Sequence, residues 1–130
     1  KQGEIVKKIS LCQDGIRREV DDDNGKYAKT KYQVLKDNKK LALVKLKLFT
    51  GRTHQIRVHL KSIGHPIIGD KLYNDSNEEQ NLLDRQALHS YSLSFKLPRT
   101  GELKTFTAKL SDDMDMLNNE ISWNFSRIIV

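Results

Sequence analysis

The densest run of reactive side chains is Thr50-Gly51-Arg52-Thr53-His54-Gln55-Ile56-Arg57-Val58-His59-Leu60. It joins two guanidinium groups, two imidazoles and an amide, and it starts where a strand-like pattern gives way to a helical one. Backbone N–H groups at the start of that helix would converge with the side chains. Such a set suits the holding of a phosphate or the pairing of a carboxylate. Arg57 follows Ile56 by about 100° on a helical wheel, so it emerges at the edge of the apolar stripe. A guanidinium at that border is partly desolvated, and its charge counts for more there than in water.

Other chemistries fit poorly. The four histidines, His54, His59, His65 and His89, are close in sequence but contain no His-Glu-x-x-His pair, and His54 and His59 diverge on a helix. With no cysteine partner for them, a metal site is not expected. No Gly-x-Ser-x-Gly elbow is present for a serine nucleophile.

The elements that must position the cluster follow from periodicity. Glu4 to Leu11 reads as one short strand and Asp21 to Gly25 as a polar turn. Lys26 to Lys36 and Leu41 to Phe49 alternate on either side of an Asp37-Asn38 turn, an antiparallel hairpin. The parity of the second strand slips between Leu43 and Val44, which predicts a bulge or burial on both faces. Ile56, Leu60 and Ile63 then form a helical stripe ending at Gly64, and Pro66 to Tyr73 reads as an ordered loop. Leu88 to Leu97 and Leu103 to Leu110 make a second hairpin around Pro98 to Gly101. Ser111 is a cap for a final helix with the stripe Met114, Leu117, Ile121, Phe125 and Ile128. Two hairpins and two helices without βαβ alternation predict an α+β fold, a mostly antiparallel sheet with flanking helices.

The chain has 130 residues and a net charge of +6. Residues 1–75 hold 17 basic and 9 acidic groups, whereas residues 76–130 hold 6 and 8, so the positive charge is concentrated in one half. That asymmetry suits a polyanionic partner. No apolar run approaches the ~20 residues of a membrane span. One cysteine, Cys12, fits a reducing cytoplasm, and an opening Lys1 without a signal-peptide core predicts a trimmed product.

Taken whole, the segment Gly51-Arg52-Thr53-His54-Gln55-Ile56-Arg57-Val58-His59-Leu60, followed by Gly64-His65-Pro66-Ile67-Ile68-Gly69-Asp70-Lys71-Leu72-Tyr73, closely resembles the signature of pseudouridine synthases of the ribosomal-large-subunit-A type. Arg17-Arg18-Glu19-Val20, Gly25 to Thr30, Thr30 to Leu35 and Arg85-Gln86-Ala87-Leu88-His89-Ser90 flank it in the order of that family. The resemblance covers roughly residues 3–118. It implies isomerisation of uridine to pseudouridine in ribosomal or transfer RNA, without metal or organic cofactor, on a nucleotide flipped from its stack.

The family's nucleophilic aspartate lies in a His-Arg-Leu-Asp motif followed by Thr-Ser-Gly, and neither motif occurs here. The resemblance therefore implies that residues 1–130 form the C-terminal portion of a single catalytic domain. Alone, this portion is expected to be inactive, its missing N-terminal half being its first partner. Carried over by position, the resemblance implies that Arg57 pairs with the catalytic aspartate, that Ile56 lines the uracil pocket and that Arg52, His54 and Gln55 complete the active-site wall. Asp70 and Tyr73 are expected to brace the loop after the helix, and Arg57→Ala to spare the fold. Arg17, Arg18, Lys26, Lys29 and Lys31 are candidates for the RNA backbone. The alternative reading is a non-catalytic basic RNA-binding module of the same fold.

Overall fold

The computed structural model describes residues 1–75, 82–120 and 128–129. Its main sheet has the order β1-β4-β5-β8, from β1 (Gln2–Val6), β4 (Lys29–Asp37), β5 (Ala42–Leu48) and β8 (Ile128–Ile129). The first three strands pair antiparallel, and β8 joins β5 in parallel. Two smaller antiparallel pairs accompany it: β2 (Ile9–Leu11) with β3 (Arg18–Val20), and β6 (Ser92–Lys96) with β7 (Leu103–Thr107). Helix α1 (Gln55–Ser62) packs on the sheet, and α2 (Asp112–Glu120) follows β7. The α+β class read from the sequence is the class observed.

The β4–β5 hairpin is closed by side chains that mimic backbone turns. Asp37 Oδ1 accepts the Lys39 N–H, and Asn38 Oδ1 accepts the N–H groups of Lys40 and Leu41. The slipped parity has its cause on the opposite strand. Val34 pairs with Val44 but Lys36 with Leu43, so Leu35 is the extra residue, and both Leu43 and Val44 are buried.

Three expectations need correction. Glu4 to Leu11 is two strands, because the chain leaves the main sheet at Lys7-Lys8 and Ile9 then pairs with Val20. Gly25 permits that swing: a Cβ there would meet the Ile9 nitrogen at 2.8 Å and also the Asp21 carbonyl. The second hairpin forms with a shorter reach than Leu88 to Leu97 and Leu103 to Leu110, and the face carrying Leu93, Phe95 and Phe106 is exposed. The last helix buries Met114 and Leu117, but Ile128 lies in β8 beside Leu43, not on the helical stripe. Ile121 and Phe125 lie outside the described residues.

Helix α1 divides two cores, which positions everything that follows. Leu60 joins Ile5, Val44, Ile67, Ile68 and Met114, with Ile56 and Ile63 packed at the margin. Val58, on another face, joins Ile9, Ala28 and Tyr73. The stripe of Ile56, Leu60 and Ile63 was therefore only one of two buried faces, since the helix is wedged and not laid on one surface. It stops as expected: Gly64 has φ +84°, and its N–H reaches the Lys61 carbonyl.

Candidate active site

Arg57 and Asp70 form the centre of the site. Asp70 is fully buried and the Arg57 side chain is 13% exposed. Arg57 Nε donates to Asp70 Oδ2 and Nη2 donates to Oδ1, both at 2.8 Å. Burial alone would raise the Asp70 pKa. The bonds from Arg57 and the N–H groups of Leu72 and Tyr73 outweigh it and hold the carboxyl below its ordinary value. The same pair raises the Arg57 pKa. Both groups are thus ionised at neutral pH.

This grip is side-on. It consumes Nε and Nη2 and leaves Arg57 Nη1 without a hydrogen bond among the described residues. The Tyr73 ring lies 5.0 Å from the guanidinium carbon and helps hold it in plane. The Tyr73 hydroxyl accepts the Arg18 backbone N–H at 2.8 Å and shares a hydrogen bond of 2.7 Å with His54 Nδ1. Burial, then the nearby Arg57 charge, lowers the His54 pKa, which favours the neutral imidazole. His54 also has a left-handed backbone, φ 56°, an uncommon state for a residue with a side chain. Its bond to Tyr73 is one contact holding it there.

Asp70 and Tyr73 thus do more than brace a loop: both touch the groups of the helix that the sequence singled out. The carboxylate beside Arg57 in this chain is Asp70, and no short-range spacing signals that pairing. Ile56 stands next to Arg57, half-buried against the main core. Arg52 is exposed, with its Nε donating to the Tyr27 carbonyl at 2.9 Å.

Gln55 is placed behind the wall. Its Oε1 accepts from the Arg52 N–H and the Thr50 hydroxyl, and its Nε2 donates to the Lys29 carbonyl and Thr30 Oγ1. Every one of these bonds ties the start of α1 to neighbouring backbone and strand. The next link was not expected from the residue order. Thr30 Oγ1 lies 2.8 Å from His59 Nδ1, and His59 Nε2 lies 2.9 Å from the Lys7 carbonyl. Since a carbonyl only accepts, Nε2 carries the proton and Nδ1 accepts from Thr30. A histidine, threonine and glutamine at buried positions were the available signal.

Burial lowers the His59 pKa, and this has a consequence for stability. As pH falls through about 6.5, the unfolded chain takes up the proton before the folded one does. The stabilisation is complete above the unfolded value and is lost as pH falls toward the folded one. We expect the urea midpoint to drop between about pH 7.5 and about pH 5.5, and His59→Gln to show a flatter dependence. Equal slopes would place the titrating group elsewhere.

The five RNA-backbone candidates do not form one patch. Arg18 and Lys26 line a groove with Arg52. Arg17 is held by Asp14, with Nε 2.7 Å from Oδ2. Lys29 lies near Glu4 and over the Phe49 ring, and Lys31 is paired in register with Lys47 on an exposed stretch of sheet. Among the described residues no group of three His, Cys, Asp or Glu side chains could hold a metal ion. No helix there is long and apolar enough to cross a membrane.

The family model described as RNA pseudouridylate synthase matches residues 1–62. An uncharacterised RNA pseudouridine synthase of Chlorobaculum parvum is 42% identical over 111 residues, covering 75% of this chain and 34% of its own length. The dual-specificity RNA pseudouridine synthase RluA of Vibrio cholerae is 41% identical over 107 residues, covering 80% and 42%. The chain therefore spans well under half the length of these relatives. The solved structure of human RNA pseudouridylate synthase domain containing 1 superposes with a TM-score of 0.71 over 99% of this chain and 55% of that one, at 23% identity, and so shares the fold. With its signature segment folded around Arg57, the chain belongs to the pseudouridine synthase family of the ribosomal-large-subunit-A type.

Proposed function

We propose that residues 1–130 are the C-terminal portion of the catalytic domain of an RNA pseudouridine synthase acting on ribosomal or transfer RNA. The observation that carries this reading is the unused edge of Arg57. Asp70 occupies Nε and Nη2, so Nη1 is available to a second carboxylate, the nucleophilic aspartate. In the reaction the N1–C1′ bond of uridine breaks and a C5–C1′ bond forms. The C5 proton leaves to solvent and N1 gains one. Arg57 keeps the aspartate ionised and oriented, Ile56 supplies an apolar wall to the uracil, and Asp70 and Tyr73 keep Arg57 in place.

The aspartate motif is absent from these 130 residues, so the chain alone should release no tritium from RNA labelled at uridine C5. Turnover above background would overturn the need for an outside aspartate. In the full-length protein, Arg57→Lys keeps a positive charge beside Asp70 but loses the second edge. We expect tritium release to fall by about 10²–10³-fold, as when one oriented electrostatic group is lost. Near-normal turnover would remove Arg57 from the mechanism. Full-length protein without turnover on any ribosomal or transfer RNA would favour the non-catalytic RNA-binding module.

A further inference from the structure

We propose that the groove lined by Arg18, Lys26 and Arg52 is a seat for one phosphate of the RNA backbone, next to the nucleotide that Arg57 addresses. The groove has a volume of about 400 Å³, and its other lining residues are Ile9, Ser10, Leu11, Asn24, Gly51 and Thr53. Three cations line it and no acidic residue does.

None of the three is neutralised. Among the described side-chain atoms, Arg18 Nε is the buried one without a hydrogen-bond partner. The Arg18 guanidinium makes no ion pair or hydrogen bond there. An unmet buried N–H costs about 1–3 kcal/mol, so such groups in native proteins call for an explanation, and a ligand that completes the bond is one. Arg52 uses Nε on the Tyr27 carbonyl, which orients its remaining N–H groups and leaves them free. The Lys26 backbone is fixed by its bonds to Ile9, so its ammonium group starts from a rigid base. Neutral donors on Asn24 and Thr53 add contacts a tetrahedral oxyanion uses, while the Ser10 hydroxyl is already given to Asp21.

The groove communicates with the site through a short path. The Arg18 N–H is bonded to the Tyr73 hydroxyl, and the Tyr73 ring stacks beneath the Arg57 guanidinium. A strand of RNA with one phosphate in the groove would thus have its adjoining nucleotide held near Arg57. This assignment rests on the RNA-modifying reading. The groove also completes a set: Arg17 is occupied by Asp14, and Lys29 and Lys31 lie on the sheet, so these three do not contribute to it.

Two measurements on the 130-residue chain test the proposal. In the first, arginine side-chain NMR follows the Hε–Nε signals of Arg18, Arg52 and Arg57 during titration with inorganic phosphate. We expect saturable movement at Arg18 and Arg52 and none at Arg57. In the second, binding of a uridine-containing single-stranded RNA is measured against salt for the wild type and for Arg18→Gln, Lys26→Gln and Arg52→Gln. Removing a phosphate contact should lower the magnitude of the log–log salt slope by about 0.7, whereas Lys104→Gln should not change it. RNA binding with unchanged slopes and no phosphate response overturns the groove and leaves the RNA reading intact. A phosphate response without RNA binding upholds an anion seat for free phosphate only and overturns the RNA assignment. No response in either measurement overturns both. Lys26 and Arg52 are exposed, so the test stands on their variants even if Arg18→Gln fails to fold.

Discussion

Arg57→Ala is expected to destabilise the folded chain by about 3–5 kcal/mol, the usual range for removing one partner of a buried ion pair. This corrects the expectation that the substitution would spare the fold. Asp70 is wholly buried, and with Arg57 gone its carboxylate retains only the N–H groups of Leu72 and Tyr73. The carboxyl must then either stay charged without its main partner or take a proton, and both outcomes reduce stability. Urea unfolding at neutral pH measures the loss. A double-mutant cycle with Asp70→Leu separates the causes: Arg57→Ala with Asp70→Leu should recover part of the stability, because no buried charge is then stranded. If Arg57→Ala unfolds at the wild-type midpoint, the pair does not hold the loop to α1. The practical result is that alanine at this position confounds catalysis with folding, which is why Arg57→Lys is the informative variant for activity.

Gly69→Ala is expected to have a comparable effect for a different reason. Gly69 has φ +74°, where an L residue costs about 1–2 kcal/mol. A Cβ added there would also meet the Leu83 carbonyl oxygen at 2.9 Å and drive into the Arg85 carbonyl, both backbone atoms that cannot rotate away. Overpacking of this kind costs a further ~1–3 kcal/mol. The displaced backbone carries Asp70 directly after it, and Ile68 before it accepts the Ala87 N–H at 2.8 Å. Gly64 provides the control. Its φ is +84°, but nothing lies within 4 Å of a Cβ there, so Gly64→Ala should show only the conformational cost of about 1–2 kcal/mol. Measured by thermal or urea unfolding, the difference between the two variants isolates the close approach of residues 83–85. Equal losses would mean that the segment yields without resistance.

The catalytic-signature segment was legible because its order of residue types is specific and contiguous. The β4–β5 hairpin and the extent of α1 were legible because alternation, the Asp37-Asn38 turn and Gly64 are local signals that the backbone obeys. The break at Lys7-Lys8 was not, because Ile9 and Leu11 resume the alternation of Ile5 beyond it, and the change of partner from β4 to β3 shows only in the folded chain. The second hairpin was legible from its apolar alternation, and the exposure of its apolar face was not. Alternation reports that a face is apolar, and whether anything covers it is a matter of tertiary contact.

For the site the division is sharper. Residue order alone was sufficient to identify the family and to single out Arg57, since the chemistry of a bidentate, permanently charged guanidinium is carried by residue type. The folded chain decided how Arg57 is held and which of its edges is free. It turned Gln55 inward, gave His54 a phenolic partner and His59 a buried one, and gathered Arg18, Lys26 and Arg52 from three separate stretches around one groove. The physical reason is that hydrogen bonds and ion pairs reach only about 3–4 Å. Which groups fall within that reach depends on how helix, strands and loop pack, and residues distant in sequence leave no periodic trace of their meeting.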